Sequence, residues 1–81
     1  MQKSLDQLTP GETGTVARVG GGGMIKRRLF DMGITPGTEI TLKKTAPLGD
    51  PIEVEIRGYA LSVRKSEAEA VVMNVEGGAS L

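Results

Sequence analysis

Apolar and charged residues alternate most regularly over Ile52–Arg57, where three β-branched side chains are separated by single charged ones. Such alternation predicts a strand with one buried and one solvated face, because successive side chains of a strand point to opposite faces. Similar patterns, with glycines at the corners, predict four further strands: Gly14–Val19, Glu39–Thr45, Tyr59–Val63 and Val71–Val75. Five short strands with one inserted helix indicate a mainly β protein, a small barrel.

The two strands Glu39–Thr45 and Ile52–Arg57 flank the loop Pro47-Leu48-Gly49-Asp50-Pro51, which is too long for a two-residue hairpin turn. Its two prolines fall outside the ladder, where their missing N–H groups cost nothing. If the strands pair, opposite charges face each other, with Lys43 or Lys44 against Glu53 or Glu55.

A short helix is predicted over Met24–Met32, because Ile25, Leu29 and Met32 are spaced four and three residues apart and form one apolar stripe. Phe30 lies about 100° from that stripe. Two interpretations of Phe30 stay open: an exposed aromatic within a contact patch, or a side chain that covers the open end of the barrel.

The helix should end at Gly33, in a left-handed conformation, with Leu29 and Ile34 closing a Schellman cap by apolar contact. Pro36 prevents the helix from resuming. Thr35-Pro36-Gly37-Thr38 then has the residue pattern of a type II turn, and Thr9-Pro10-Gly11-Glu12 repeats it. Further along, Ser66-Glu67-Ala68-Glu69 has the pattern of a capping box and predicts one helical turn before the last strand.

The stretch from Arg28 to Gly37, read with Ala46–Pro51, Leu8–Glu12 and Glu67-Ala68, resembles the FeoA family over about Leu5 to Val75. These are small cytosolic partners of the bacterial ferrous-iron transporter FeoB. The same domain type occurs at the C-terminal end of iron-dependent repressors. The resemblance implies an SH3-like small β-barrel with extra helices.

Length and composition agree with a single domain over residues 1–81, with a core at about 5–75 and a flexible tail at 76–81. Ten basic and ten acidic residues give a net charge of zero, which favours association with proteins, weak self-association included, over attraction to polyanions. The chain has neither a signal-peptide pattern nor a run of about 18 apolar residues, so we expect a cytoplasmic protein without membrane insertion.

Histidine and cysteine are both absent, which removes the most frequent general base, the strongest nucleophile and the usual transition-metal ligands. We therefore expect a binding protein and not an enzyme. Gly20–Gly23 could place backbone N–H groups against a phosphate at a helix N-terminus, but it lacks the Gly-Lys-Ser/Thr ending of a phosphate-binding loop, and a flexible joint is the preferred interpretation.

Only carboxylates remain as metal ligands. Glu53 and Glu55 share one strand face and Asp50 precedes them, so these three are weak candidates for a divalent transition metal, while no tightly bound cofactor is expected. Aromatic residues make up 2% of the chain, which argues against nucleic-acid binding and against a groove for proline-rich peptides.

A protein-binding surface is the remaining expectation, formed by the helix Met24–Met32 and the loop Pro47–Pro51. The loop could equally be only a stiff connection. The resemblance implies that the partner is the cytoplasmic face of a FeoB-like transporter. It also implies that the chain is an accessory protein of ferrous iron uptake. The alternative is a metal-responsive regulatory domain with weak metal binding. The expected partner-binding residues are Arg28, Phe30, Asp31, Pro47, Leu48, Asp50 and Pro51.

Overall fold

The strands form one antiparallel sheet in the computed structural model, which describes residues 1–75. The strands are β1 (Gln2–Ser4), β2 (Thr13–Val19), β3 (Glu39–Thr45), β4 (Ile52–Ile56), β5 (Tyr59–Val63) and β6 (Val71–Asn74). The helices are a 3-10 turn (Leu5–Gln7), α1 (Gly23–Asp31) and α2 (Lys65–Ala68). The predicted tail, 76–81, lies outside the described residues.

The sheet has the strand order β1-β6-β2-β3-β4-β5, so β1 and β5 are its two edges. All five predicted strands are present within one or two residues of their predicted ends, which confirms the mainly β fold. Strand β1 and the 3-10 turn after it were not predicted. Among residues 1–75 no pairing joins β1 to β5, so the sheet is open where a closed barrel was expected.

The core is built from the alternating apolar positions of the strands. Ile52, Val54 and Ile56 of β4 are buried, while Glu53 and Glu55 between them are partly exposed. Burying a side chain of this size contributes about 1.5–3 kcal/mol. The opposite charges across β3 and β4 pair as predicted: Lys43 Nζ lies 3.3 Å from Glu55 Oε1, and Lys44 Nζ lies 3.9 Å from Glu53 Oε1.

Helix α1 ends in the predicted Schellman cap. Gly33 has φ +90°, its N–H donates to the carbonyl of Phe30 at 2.9 Å, and the N–H of Ile34 donates to the carbonyl of Leu29 at 2.9 Å. Leu29 and Ile34 are both fully buried. The cap therefore sets the direction in which the chain leaves α1 and carries Ile34 into the core.

Both predicted proline-glycine turns are formed. Gly37 has φ +94° and Gly11 has φ +89°, and the N–H of the fourth residue donates to the carbonyl of the first in each turn. In the turn Thr9-Pro10-Gly11-Glu12, Glu12 Oε1 accepts the N–H of Thr9 at 2.9 Å and lies 3.0 Å from Lys3 Nζ. The Thr9 N–H, and then Lys3, lower the pKa of the Glu12 carboxyl from its ordinary value of 4.5.

Strands β4 and β5 form a tight hairpin in which Ile56 pairs with Tyr59. The two residues between them, Arg57 and Gly58, have φ +52° and φ +88°. Positive φ at both central positions is the type I′ geometry that suits the right-handed twist of a two-residue hairpin. The chain thus reverses at Arg57-Gly58, and β5 returns along one side of β4.

The predicted capping box at Ser66 is out of register. Helix α2 begins at Lys65, with Arg64 as its N-cap, and Glu67 occupies the third helical position. There Glu67 Oε1 accepts the Arg64 N–H at 3.3 Å. Ser66 fits the sequence pattern of an N-cap. Glu67, however, caps the helix from its third position by accepting the Arg64 N–H, and this places the N-cap two residues earlier, at Arg64.

A cleft beside strand β5 as the candidate functional site

A cleft of about 270 Å³ lies where α1, the loop between β3 and β4, the end of β5 and α2 meet. Its volume is below the range of pockets that enclose a drug-sized ligand, so its size suits one or two side chains of a partner. It is lined by Arg28, Met32, Asp50, Pro51, Ser62, Arg64 and Glu67.

An ion pair between α1 and α2 forms one wall of the cleft. Arg28 Nε lies 3.0 Å from Glu67 Oε2. The side chain of Arg28 is 66% exposed and that of Glu67 only 10%. A buried carboxylate needs hydrogen bonds or a counter-charge, and Glu67 has both, since its other oxygen accepts the N–H of Arg64. The two helices are thereby held in a defined relation.

The loop between β3 and β4 forms another wall, through Asp50 and Pro51. The N–H of Gly49 donates to the carbonyl of Ala46 at 2.7 Å, and the N–H of Ala46 donates to the carbonyl of Pro51 at 3.0 Å, which closes the loop on itself. The Asp50–Pro51 peptide bond is cis. Asp50 Oδ1 accepts the N–H of Lys65 at 2.9 Å, and this contact ties the loop to the first residue of α2.

Two exposed apolar side chains belong to the same two elements. Phe30 on α1 is 40% exposed, with Lys26 Nζ 5.9 Å from the centre of its ring, and Leu48 at the tip of the loop is 95% exposed. Phe30 is not part of the buried core cluster, which favours the contact-patch interpretation over the cover for an open barrel end. Ile25 and Met32, by contrast, pack against the core as predicted, and Leu29 lies within it.

The structure brings together three of the seven predicted partner-binding residues, because Arg28, Asp50 and Pro51 all line the cleft. The other four predicted residues do not belong to the lining that the described residues form: Phe30, Asp31, Pro47 and Leu48. Sequence reasoning missed Met32, Ser62, Arg64 and Glu67 as lining residues. Glu67 stood out only through its capping pattern, and no local signal indicated that it would meet Arg28.

The three weak metal candidates, Asp50, Glu53 and Glu55, are each engaged elsewhere. Glu53 and Glu55 face lysines across the sheet, and Asp50 accepts the Lys65 N–H. Within residues 1–75 no three carboxylates converge as a metal site would require. The metal assignment stays a prediction. None of the helices in this part of the chain is long and apolar enough to cross a membrane.

The FeoA domain family model matches residues 3–75. The chain belongs to the FeoA family. The match covers every strand and helix described above except the first residue of β1, and it confirms the family resemblance drawn from the turn and helix-end motifs.

A FeoA-like protein from Clostridium acetobutylicum, solved by NMR, is 37% identical, with a TM-score of 0.86 over 93% of this chain and 87% of its own. The crystal structure of Stenotrophomonas maltophilia FeoA complexed with zinc, described as a procaryotic SH3 domain protein, is 28% identical, with a TM-score of 0.77 over 89% of both chains. The SH3-like fold is thereby confirmed. As a FeoA-type SH3-like domain, the chain is not an enzyme.

A curated relative connects the family to transport. The Fe(2+) transport protein A/Fe(2+) transporter FeoB fusion protein of Porphyromonas gingivalis is 34% identical over 67 residues, which are 83% of this chain and 8% of that protein. The chain thus spans only a small part of this relative. The FeoA family, to which the chain belongs, is associated with ferrous iron transport.

The fold also recurs in a manganese-dependent transcriptional repressor, with a TM-score of 0.83 over 91% of this chain and 41% of the repressor. At 21% identity this likeness concerns the fold alone.

Proposed function

We propose that this FeoA-family chain is a cytoplasmic, non-enzymatic accessory and regulatory protein of ferrous iron uptake that docks on the cytoplasmic part of a FeoB-like transporter. The observation that carries the proposal is the fusion relative, in which a segment 34% identical to this chain is part of one protein with FeoB. Joining two modules in one chain raises their effective concentration, so even a weak contact between them is populated. A separate chain of the same family would make that contact between molecules.

The docking surface would be the exposed side of the second half of α1, from Arg28 to Asp31, together with the loop between β3 and β4. Phe30 and Leu48 present apolar side chains there, and Arg28, Asp31 and Asp50 supply charges beside them. An exposed aromatic within a charged rim is the usual composition of an interface centre. The hydrogen bonds within the loop hold it in one conformation before binding, which lowers the entropy cost of docking.

Co-purification with the transporter tests the proposal. A tagged FeoB-like transporter from the source organism is captured in detergent. It is incubated separately with the wild-type chain, the Phe30→Asp variant and the Leu48→Asp variant, and the bound chain is measured. Burying a charge at the centre of an interface should cost about 2 kcal/mol of binding free energy or more, so both variants should be recovered poorly. Met24→Asp is the matched control, because Met24 is also an apolar residue of α1, 87% exposed, but lies at the start of the helix.

Circular dichroism of each variant should match that of the wild type, since all three positions are exposed. Equal recovery of both variants and the wild type would reject this surface. Failure to recover the wild-type chain would reject docking itself.

A second candidate function, a metal-responsive regulatory domain, is supported by the zinc-bound state of the Stenotrophomonas maltophilia protein. Titration with Mn(II) or Co(II), followed through the amide signals of Asp50, Glu53 and Glu55, tests it. Saturable shifts at micromolar metal would favour sensing. Broadening without saturation would reject it.

A further inference from the structure

Strand β5 presents a free edge. Within residues 1–75 it pairs only with β4, and Tyr59, Ala60 and Ser62 are exposed. Opposed residues in an antiparallel pair alternate between hydrogen-bonded and non-hydrogen-bonded positions. Because the turn closes with Ile56 and Tyr59 as a hydrogen-bonded pair, Ala60 and Ser62 point their backbone N–H and C=O groups away from β4. In the part of the chain that is described, no backbone group bonds to them from outside the sheet.

The cleft lies directly beside this edge, since Ser62 and Arg64 form part of its lining. A strand added to β5 would therefore place a side chain in the cleft. Backbone hydrogen bonds then supply affinity and the side-chain pocket supplies specificity, as in other cases of strand addition.

The charge around the edge is basic once internal pairs are considered. Arg57 precedes β5, and Arg64 and Lys65 follow it; among residues 1–75 none of the three forms an ion pair. Three of the carboxylates nearby, Glu53, Glu55 and Glu67, form ion pairs with other residues. Within the described chain Asp50 accepts only the backbone N–H of Lys65, so its single negative charge leaves the three cations in excess. An acidic strand would find complementary charge at both ends of β5.

A second copy of this chain fits the same edge poorly. The twofold pairing that overlaps all five residues of β5 sets Tyr59 opposite Val63 of the other copy. At each end of that overlap, Arg57 in the turn before β5 of one copy would lie near Arg64 and Lys65 after β5 of the other. Like charges gathered at both ends of the pair repel, so this register opposes self-pairing.

We propose that β5 receives an extended acidic peptide segment of a partner protein as an added edge strand. Tyr59 and Leu61 are partly exposed on one face of β5, and the Ser62 hydroxyl lies on the other. The segment that suits this edge alternates apolar and acidic residues. The inference rests on the proposed function only in taking the partner to be a protein.

The test uses the full chain and a capped nine-residue peptide of alternating valine and glutamate, followed by NMR. Saturable shifts should centre on Ala60, Ser62 and Arg64, and exchange of the Ala60 and Ser62 amide protons with solvent should slow. The same peptide with lysine in place of glutamate should bind more weakly. Shifts centred on any other strand, or none at millimolar peptide, would overturn the inference.

Two N-methylated peptides separate strand addition from charge attraction alone. Each is methylated at alternate residues, one set being the complement of the other. In an added strand, only one set of N–H groups faces β5, so one peptide should lose binding and the other keep it. Equal binding of both would reject strand addition.

Arg64→Glu should weaken binding of the acidic peptide by roughly three- to tenfold. The variant should fold, because an acidic residue suits the N-terminus of α2. Arg27→Glu is the matched control, since Arg27 is an exposed arginine of α1 outside the cleft lining, and should change binding little. Equal losses in both variants, or self-association of the free protein through β5, would contradict the proposal.

The peptide experiment contains no transporter. Failure of peptide binding would leave docking on the transporter standing, and failure of co-purification would reject docking while leaving the edge site untouched.

Discussion

Arg28 in the last turn of α1 and Glu67 in α2 form an ion pair at 3.0 Å, although they are distant in the sequence. Glu67→Ala removes both this pair and the acceptor of the Arg64 N–H, so it should lower the free energy of unfolding by about 1–2 kcal/mol, the scale of a lost N-cap bond. Arg28→Ala should cost less, because the arginine is mostly exposed and the cap remains. Urea denaturation measures both.

The double variant separates the two effects of Glu67. A pair with one exposed partner should show a coupling energy of about 0.2–1 kcal/mol. A coupling of zero would mean that Glu67 acts only as the cap of α2 and that Arg28 is free to serve another contact.

Asp50→Ala should free the first turn of α2 from the loop between β3 and β4. The lost acceptor for the Lys65 N–H should lower the free energy of unfolding by about 0.5–2 kcal/mol and speed exchange of that amide proton. Asp50→Asn keeps an acceptor oxygen at the same place and is the matched control. If both variants exchange at the wild-type rate, the loop and α2 are not coupled through this bond.

Gly33→Ala and Gly23→Ala should change stability in opposite directions. Gly33 has φ +90° and the nearest atom to an added Cβ would be 3.6 Å away, so the cost is backbone strain of about 1–2 kcal/mol, not a clash. Gly23 begins α1 and has open space around it, so alanine there should stabilise by about 0.5–1 kcal/mol. Thermal or urea denaturation measures both changes in stability. A Gly33→Ala variant as stable as the wild type would show that another cap replaces the Schellman motif.

Stability should fall on acidification through Glu12. Its folded-state pKa is lowered from 4.5, first by the Thr9 N–H and then by Lys3. A lowered pKa means that the contribution is fully present above the unfolded-state value, near pH 4.5, and is lost as pH falls through the folded-state pKa. Carbon-detected NMR titration of the Glu12 carboxyl measures that pKa directly.

Glu12→Gln should flatten this part of the stability profile below pH 4.5. Glu39→Gln is the control, because Glu39 is exposed and takes no part in the ion pairs found in residues 1–75. Identical acid profiles for both variants would contradict the assignment to Glu12.

Much of the fold could be predicted from local patterns. The Schellman cap at Gly33 and the two proline-glycine turns depend on the conformational preferences of single residues, and strand β4 on strict alternation. Strand β1 was missed because it is only three residues long and is held by its pairing with β6, a contact between distant parts of the chain. Local patterns carry no information about such pairing.

The site was less predictable for the same reason. Arg28 and the loop residues Asp50 and Pro51 were expected on one surface, but Arg64 and Glu67 join them only through tertiary packing. The start of α2 at Lys65 is also set by tertiary contacts, since Asp50 accepts its N–H from outside the helix. A sequence pattern that considers α2 alone therefore favours Ser66.

Met1 and Val75 lie side by side, because the N–H of Val75 donates to the carbonyl of Met1 at 2.8 Å. Strand β5 stands at the far end of the strand order from β1. If residues 1–75 were inserted into a longer polypeptide, both connections would lie beside β1 and β6. The β5 edge, at the other end of the strand order, would then stay accessible to a partner.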